Sequence, residues 1–295
     1  MAEIIEFKTP YLSIYVKSYL VVTENYNIFI DGSIKRNEEN ILPYLNSGKK
    51  NVCLITHGHW DHIGLAYTIK NAGGTLMGNV RDKRYYTDFE WDWQVGFEQY
   101  KNDYNIPPER NDLFWYEIGK EAPLDEFISE GDILQFDDVK LRVLELPGHT
   151  RGCVGFYLEN EDILFTGDAL MGEGFFGGAT QYADYLGYVS SMKKIIELNP
   201  KTIYTAHTDT LEDYSGAELA RVGLEVGEKI ERAVDAYLDH HDGELEVSEI
   251  ARYVCSVIGR NFGGGACVSV ISHLALCKAR SERISECLEK YVYGV

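Results

Sequence analysis

The chain has 295 residues, 45% hydrophobic and 25% charged, a composition that suits a folded globular protein and excludes disorder as its main state. Its formal net charge of −19 repels phosphate backbones and anionic lipid, and no basic patch offsets it, so neither nucleic acid nor membrane is expected as a partner. The start carries no export pattern, no uncharged apolar run approaches about 18 residues, and the six cysteines lack CxxC spacing, so a reduced cytoplasmic protein is expected.

Alternation over Leu12 to Val22 and the apolar run Tyr26 to Ile30, closed by Asp31-Gly32, predict strands. A buried strand over Val52 to Thr56 ends in the segment HGHWDH. Ile63 to Asn71 has the spacing of a helix stopped by Gly73-Gly74, and a brief strand follows at Thr75 to Met77. This order predicts α/β layering. Residues 84–116 hold eleven aromatic side chains, expected to form either a packed helical subdomain or an aromatic lid or partner surface. From Asp132 strands return over Ile133 to Phe136, Val139 to Leu146, Val154 to Leu158 and Ile163 to Thr166. Residues 182–198 repeat apolar positions at helical spacing, and Ile203 to Ala206 reads as one more strand. Ser215 with Glu218 has the pattern of a capping box opening a long helix toward Leu238. The rest is helical, interrupted by Gly243 and by Gly263-Gly264-Gly265. Residues 1–214 and a helical segment 215–295 are the expected division.

The chemistry gathers on five histidines. His57, His59 and His62 crowd together with Asp61 in HGHWDH, where packing alone would place leucine or valine. An extended backbone puts residues i and i+2 on one side, so His57 and His59 can aim at one point. His149 in PGHT, Asp168 in TGDAL and His207 in TAHT each follow a predicted strand. A buried carboxylate at Asp168 would be costly without a cation beside it. Ligands of open α/β layers collect at one end of the strands, so these positions describe one site. His240, His241 and His273 have no neighbouring ligand pattern and read as structural or solvated. Cys153 reads as a small packing residue.

The series HxHxDH, PGHT, GDAL and a late AHT resembles the metallo-β-lactamase superfamily of metal-dependent hydrolases, over about residues 10 to 210. The resemblance implies a four-layer αβ/βα sandwich with the site at one edge, between the two sheets. It implies one divalent ion on His57, His59 and His149, a second on Asp61, His62 and His207, and Asp168 bridging them. The segment FIDGS resembles the family's early strand-turn motif, which makes Asp31 a residue that supports a ligand from behind. Imidazole and carboxylate donors without thiolate suit zinc, with iron or manganese close behind. Two such ions can share a hydroxide and polarise a carbonyl. Asp61 is then the expected catalytic group, orienting the water and passing its proton to the leaving group.

A fold of this kind does not select its substrate. The helical segment resembles that of glyoxalase II and of thioesterase members, where it helps close the pocket. Lactonases of the family carry a tyrosine three residues after the bridging aspartate; this chain has Met171 there, leaving Tyr182 or Tyr185 as substitutes. With Trp91, Trp93 and Phe175, these two tyrosines are the expected lining of an acyl pocket. Hydrolysis of a small-molecule acyl ester or thioester through a metal-bridging hydroxide is the leading expectation. Lactone hydrolysis is the enzymatic alternative, and a metal-stabilised binding or regulatory protein is the alternative of another class.

Overall fold

The computed structural model describes residues 3–11, 14–96, 98–100, 108–174 and 178–291. Among them the first sheet runs β1 (Glu3–Tyr11), β2 (Ile14–Val22), β3 (Tyr26–Ile30), β4 (Lys50–Leu54), β5 (Thr75–Gly78) and β6 (Glu126–Phe127), side by side in that order. The first two pairings are antiparallel and the remaining three parallel. Parallel neighbours need crossovers. Helix α1 (Glu38–Leu45) makes one, and the short helices α2 (Trp60–Ile63) and α3 (Ala66–Asn71) make the next. Helices α4 (Phe89–Gly96) and α5 (Pro108–Glu117) fall within the aromatic-rich stretch.

The second sheet is β7 (Ile133–Phe136), β8 (Val139–Glu145), β9 (Val154–Leu158), β10 (Ile163–Gly167) and β11 (Thr202–Thr205), with α6 (Tyr185–Leu198) crossing between the last two. Helices α7 (Ser215–His240), α8 (Val247–Ile258), α9 (Gly264–Cys277) and α10 (Glu282–Glu289) follow. No described helix is long and apolar enough to cross a membrane.

Strand side chains alternate between faces, and the alternation sorts the core into layers. Leu20, Phe29, Cys53 and Leu76 pack outward against Ile41, Ile63, Ile69 and Phe114 of the first helical layer. Val21, Ile28, Val52 and Leu54 face inward, onto Leu141, Val143, Val154 and Phe165 of the other sheet. That sheet's outer face, with Leu144, Leu164 and Ile203, packs on Tyr188, Val226, Val254 and Val270. The protein is therefore a four-layer sandwich of helices, sheet, sheet and helices, and the C-terminal helices are its outer layer.

Two local expectations are corrected. The helix predicted over Ile63 to Asn71 is split at Gly64, where a Cβ would collide with the carbonyl of Glu117 and lie 2.7 Å from that of Ser33. Helix α7 begins at Ser215, but no capping box forms. Tyr214 takes the N-cap position at φ +66°, and the Ser215 hydroxyl donates to the Glu212 carbonyl at 2.7 Å.

The chain leaves β4, β8, β10 and β11, and enters β9, at one common end of the sandwich. There the Val154 amide donates to the Thr56 carbonyl and the Lys17 amide to that of Ala206, both at 2.8 Å, tying the sheets together.

Candidate metal centre

Every histidine and acid singled out as a ligand sits at that end. His57 follows β4, His59 precedes α2 in extended conformation (φ −65°, ψ 147°), and Asp61 and His62 lie within that helix. His149 and Asp168 come from the loops after β8 and β10, and His207 from the loop after β11. His59 Nδ1 lies 3.2 Å from His57 Nε2 and 2.8 Å from His149 Nε2. On the other side, Asp61 Oδ2 lies 3.1 Å from His207 Nε2 and 4.0 Å from His62 Nε2. Asp168 stands between the two groups and divides its oxygens. Oδ2 faces His149 Nε2 at 3.4 Å and His57 Nε2 at 4.0 Å, while Oδ1 faces His207 Nε2 at 3.4 Å and His62 Nε2 at 3.6 Å.

The far side of four of the five rings is held. His149 Nδ1 lies 3.3 Å from the Gln181 carbonyl and His207 Nδ1 2.9 Å from that of Tyr15. A carbonyl only accepts, so these nitrogens each carry a proton, and Nε2 is the ring nitrogen turned toward the acids. Asp31 accepts from the Thr56 amide at 2.7 Å, the Thr56 hydroxyl at 2.9 Å and His62 Nδ1 at 2.8 Å. Because the Thr56 hydroxyl donates to Asp31, it accepts from His57 Nδ1 at 3.2 Å. Asp31 thus orients His62 directly and His57 through Thr56.

Burial and the surrounding rings hold His57 well below the ordinary imidazole range, burial and His149 take His59 down to about 3, and burial lowers His149. Burial also opposes charge on His62, but Asp31, Asp168 and Asp61 outweigh it and raise that ring. At His207, Asp168 and Asp61 overcome burial and take it up to about 10. Asp61 and Asp168 are held low, against burial, chiefly by His62 and His207. Two atoms at the heart of this cluster, His62 Nε2 and Asp168 Oδ1, are buried with no hydrogen-bond partner among the described residues. Unpartnered buried polar atoms and buried acids inside a shell of oriented imidazoles are what a divalent cation would satisfy. The ligand atoms fall into overlapping groups that fit one: His57, His59 and His149; His57, His62 and Asp168; and Asp61, His62 and His207.

The aromatic candidates divide. The Tyr85 ring lies 5.3 Å from that of His59, and Trp91 packs on Tyr85 at 4.9 Å, so Trp91 reaches the cluster through Tyr85. Trp93 is farther out, on Phe114 at 5.0 Å and Trp115 at 6.2 Å. Tyr182 and Tyr185 are not brought to the candidate ligands. Both are buried against the C-terminal helices, with the Tyr182 hydroxyl 2.8 Å from His273 Nε2 and that of Tyr185 donating to Glu231 at 3.3 Å. Phe175 lies outside the described residues. Cys153 is buried, with its sulfur 3.2 Å from the Thr150 amide. Sequence reasoning missed the Tyr15 and Gln181 carbonyls, which every residue type possesses, and Asp82, which sits in no motif; it included Tyr85 only as one of the eleven aromatic residues of 84–116.

The Metallo-beta-lactamase superfamily description matches residues 14–207, and the chain belongs to that superfamily. It is 32% identical over 158 residues to the hydroxyacylglutathione hydrolase GloC of Haemophilus influenzae, covering 52% of this chain and 66% of that one. It is 29% identical over 206 residues to the atrochrysone carboxyl ACP thioesterase of Claviceps purpurea, covering 68% of this chain and 53% of that one. A metallo-beta-lactamase family protein of Thermus thermophilus has the same fold at a TM-score of 0.70, with 19% identity and coverage of 95% of this chain and 93% of its own. Family membership and the hydrolase names of these relatives support a metal-dependent hydrolase.

Proposed function

We propose that the protein hydrolyses an acyl ester or thioester, using two divalent ions. The observation that carries this reading is the division of the Asp168 oxygens between two groups of ligand atoms. His57, His59 and His149 would hold one ion and Asp61, His62 and His207 the other, with Asp168 shared. Zinc suits these donors best, with iron or manganese as alternatives. Such a pair supplies a nucleophile from water near neutral pH and draws electron density from the substrate carbonyl.

The remaining work falls to the chain's own groups. Asp61 has the more exposed side chain of the two acids, 12% against 6% for Asp168, which suits it to take the proton of the attacking water and deliver it to the leaving group. Tyr85 and Trp91 offer an apolar wall beside His59, suited to an acyl chain. The relatives named as a hydroxyacylglutathione hydrolase and an ACP thioesterase favour a thioester within this class. A lactone is the weaker reading: Met171 is buried where lactonases carry a helper hydroxyl, and both candidate substitutes are bonded elsewhere.

The test is a panel of acyl-glutathione, acyl-CoA, aryl ester and lactone substrates offered to zinc-loaded protein. Asp61→Asn should lower thioester turnover by about 10²- to 10⁴-fold. Failure of every substrate would leave the binding-protein reading, in which Trp91→Ala, rather than Asp61→Asn, removes function.

A further inference from the structure

We propose that Asp82 is a positioning residue that locks the loop bearing His57 and His59 to the loop bearing His149, and so shapes the site of the first ion alone. The proposal rests on the two-ion reading above.

Asp82 closes a short turn after β5, in a stretch without ligand motif, and only 1% of it is exposed. Its carboxylate accepts three hydrogen bonds: from the Gly58 amide at 3.0 Å, the Thr150 hydroxyl at 2.6 Å and the Gly152 amide at 2.8 Å. Gly58 stands between His57 and His59, and Thr150 follows His149. One side chain thus joins a loop leaving the first sheet to a loop within the second, and the joined loops carry all three ligands of one group. The fit is close, since a Cβ at residue 152 would lie 2.5 Å from the Asp82 carboxyl carbon.

The chemistry asks for a carboxylate. Three donors converge on two oxygens, and the group they meet must have no hydrogen to offer in return. Asparagine has one acceptor oxygen, so its amide would point N–H at N–H toward a loop backbone. The second group of ligands is supported differently: Asp31 orients His62 and the Tyr15 carbonyl orients His207. Loss of Asp82 should therefore be felt unequally by the two ions. A side chain that merely stabilised the fold would not distinguish them.

The experiment titrates Zn²⁺, and Co²⁺ as a spectroscopic probe, into the metal-free full chain. The wild type should take up two ions. Asp82→Asn should weaken one of them by about 10- to 100-fold and leave the other within about twofold, the weakened ion being the one whose cobalt spectrum reports the histidine-rich group. Thr150→Val, which removes the hydroxyl that meets Asp82 and, at 3.1 Å, the Cys153 sulfur, should weaken the same ion less, and Thr150→Ser, which keeps the hydroxyl, should bind both ions as the wild type does. Equal affinities for both ions in Asp82→Asn, or equal loss of both, overturns the proposal. If Asp82→Asn does not fold, Thr150→Val decides by the same criterion. Failure of the wild type to bind two ions overturns the two-ion reading itself, and that arm is read before any variant.

Discussion

Asp82 and Asp92 are two equally hidden carboxyls, 1% and 2% exposed, in opposite circumstances. Asp82 receives three hydrogen bonds and ties together the loops of the candidate ligands, whereas Asp92, on α4 between the buried Phe89 and Val95, has an Oδ2 with no hydrogen-bond partner among the described residues. Burial pushes Asp82 up to about 6, with its donors pulling against the rise. Burial, aided by the charges of Asp61 and Asp82, pushes Asp92 well above the ordinary carboxyl range. The backbone of the strand-end loops is thus braced from several sides, and the atoms left without a partner there, His62 Nε2 and Asp168 Oδ1, are those that face the centre of the cluster. In the aromatic cover the unpartnered acid faces no such cluster, and its burial is a cost in stability.

The strongest challenge to this contrast is at the cover's anchor. The fully buried Glu117, which ends α5, bonds the Arg36 guanidinium and accepts from the Arg36 amide at 3.0 Å. Arg36→Ala would strand that charge and should cost about 3 kcal/mol or more in urea unfolding. A smaller loss would mean that the cover is not docked through this pair. Ser269 is the corresponding brace on the ligand side. It accepts from the Tyr182 amide at 3.2 Å and donates to the Thr180 carbonyl at 2.7 Å, holding the strap whose Gln181 carbonyl meets His149. Ser269→Ala should cost about 1–3 kcal/mol by the same measurement.

Asp92→Leu should have the opposite sign, raising stability by about 1–2 kcal/mol at pH 7. An acid whose folded pKa is raised is harmless below its unfolded value of 3.8 and increasingly unfavourable as pH climbs above it. The gain should therefore shrink as pH falls toward 4, and a gain independent of pH would refute the ionisation argument. At the small end, Tyr116 is 62% exposed, and Tyr116→Ser should shift thermal stability by less than about 0.5 kcal/mol.

What the chain alone determined follows from local rules. Tyr26–Ile30, Ile133–Phe136 and Val154–Leu158 match their predicted strand limits, because apolar runs bounded by turn residues state their own ends. The seven candidate ligands were legible because imidazole and carboxylate directly after a buried strand have no packing explanation, and because they recur in short motifs. Tertiary structure decided the rest. Only the meeting of two loops makes Asp82 a brace, only the close approach of the Glu117 and Ser33 carbonyls demands a glycine at 64, and only α9 supplies the partner of the Tyr182 hydroxyl. Periodicity and turn chemistry are properties of neighbours along the chain. A hydrogen-bond partner is a property of neighbours in space, and the carbonyls of Tyr15 and Gln181 carry no mark of residue type by which it could have been foreseen.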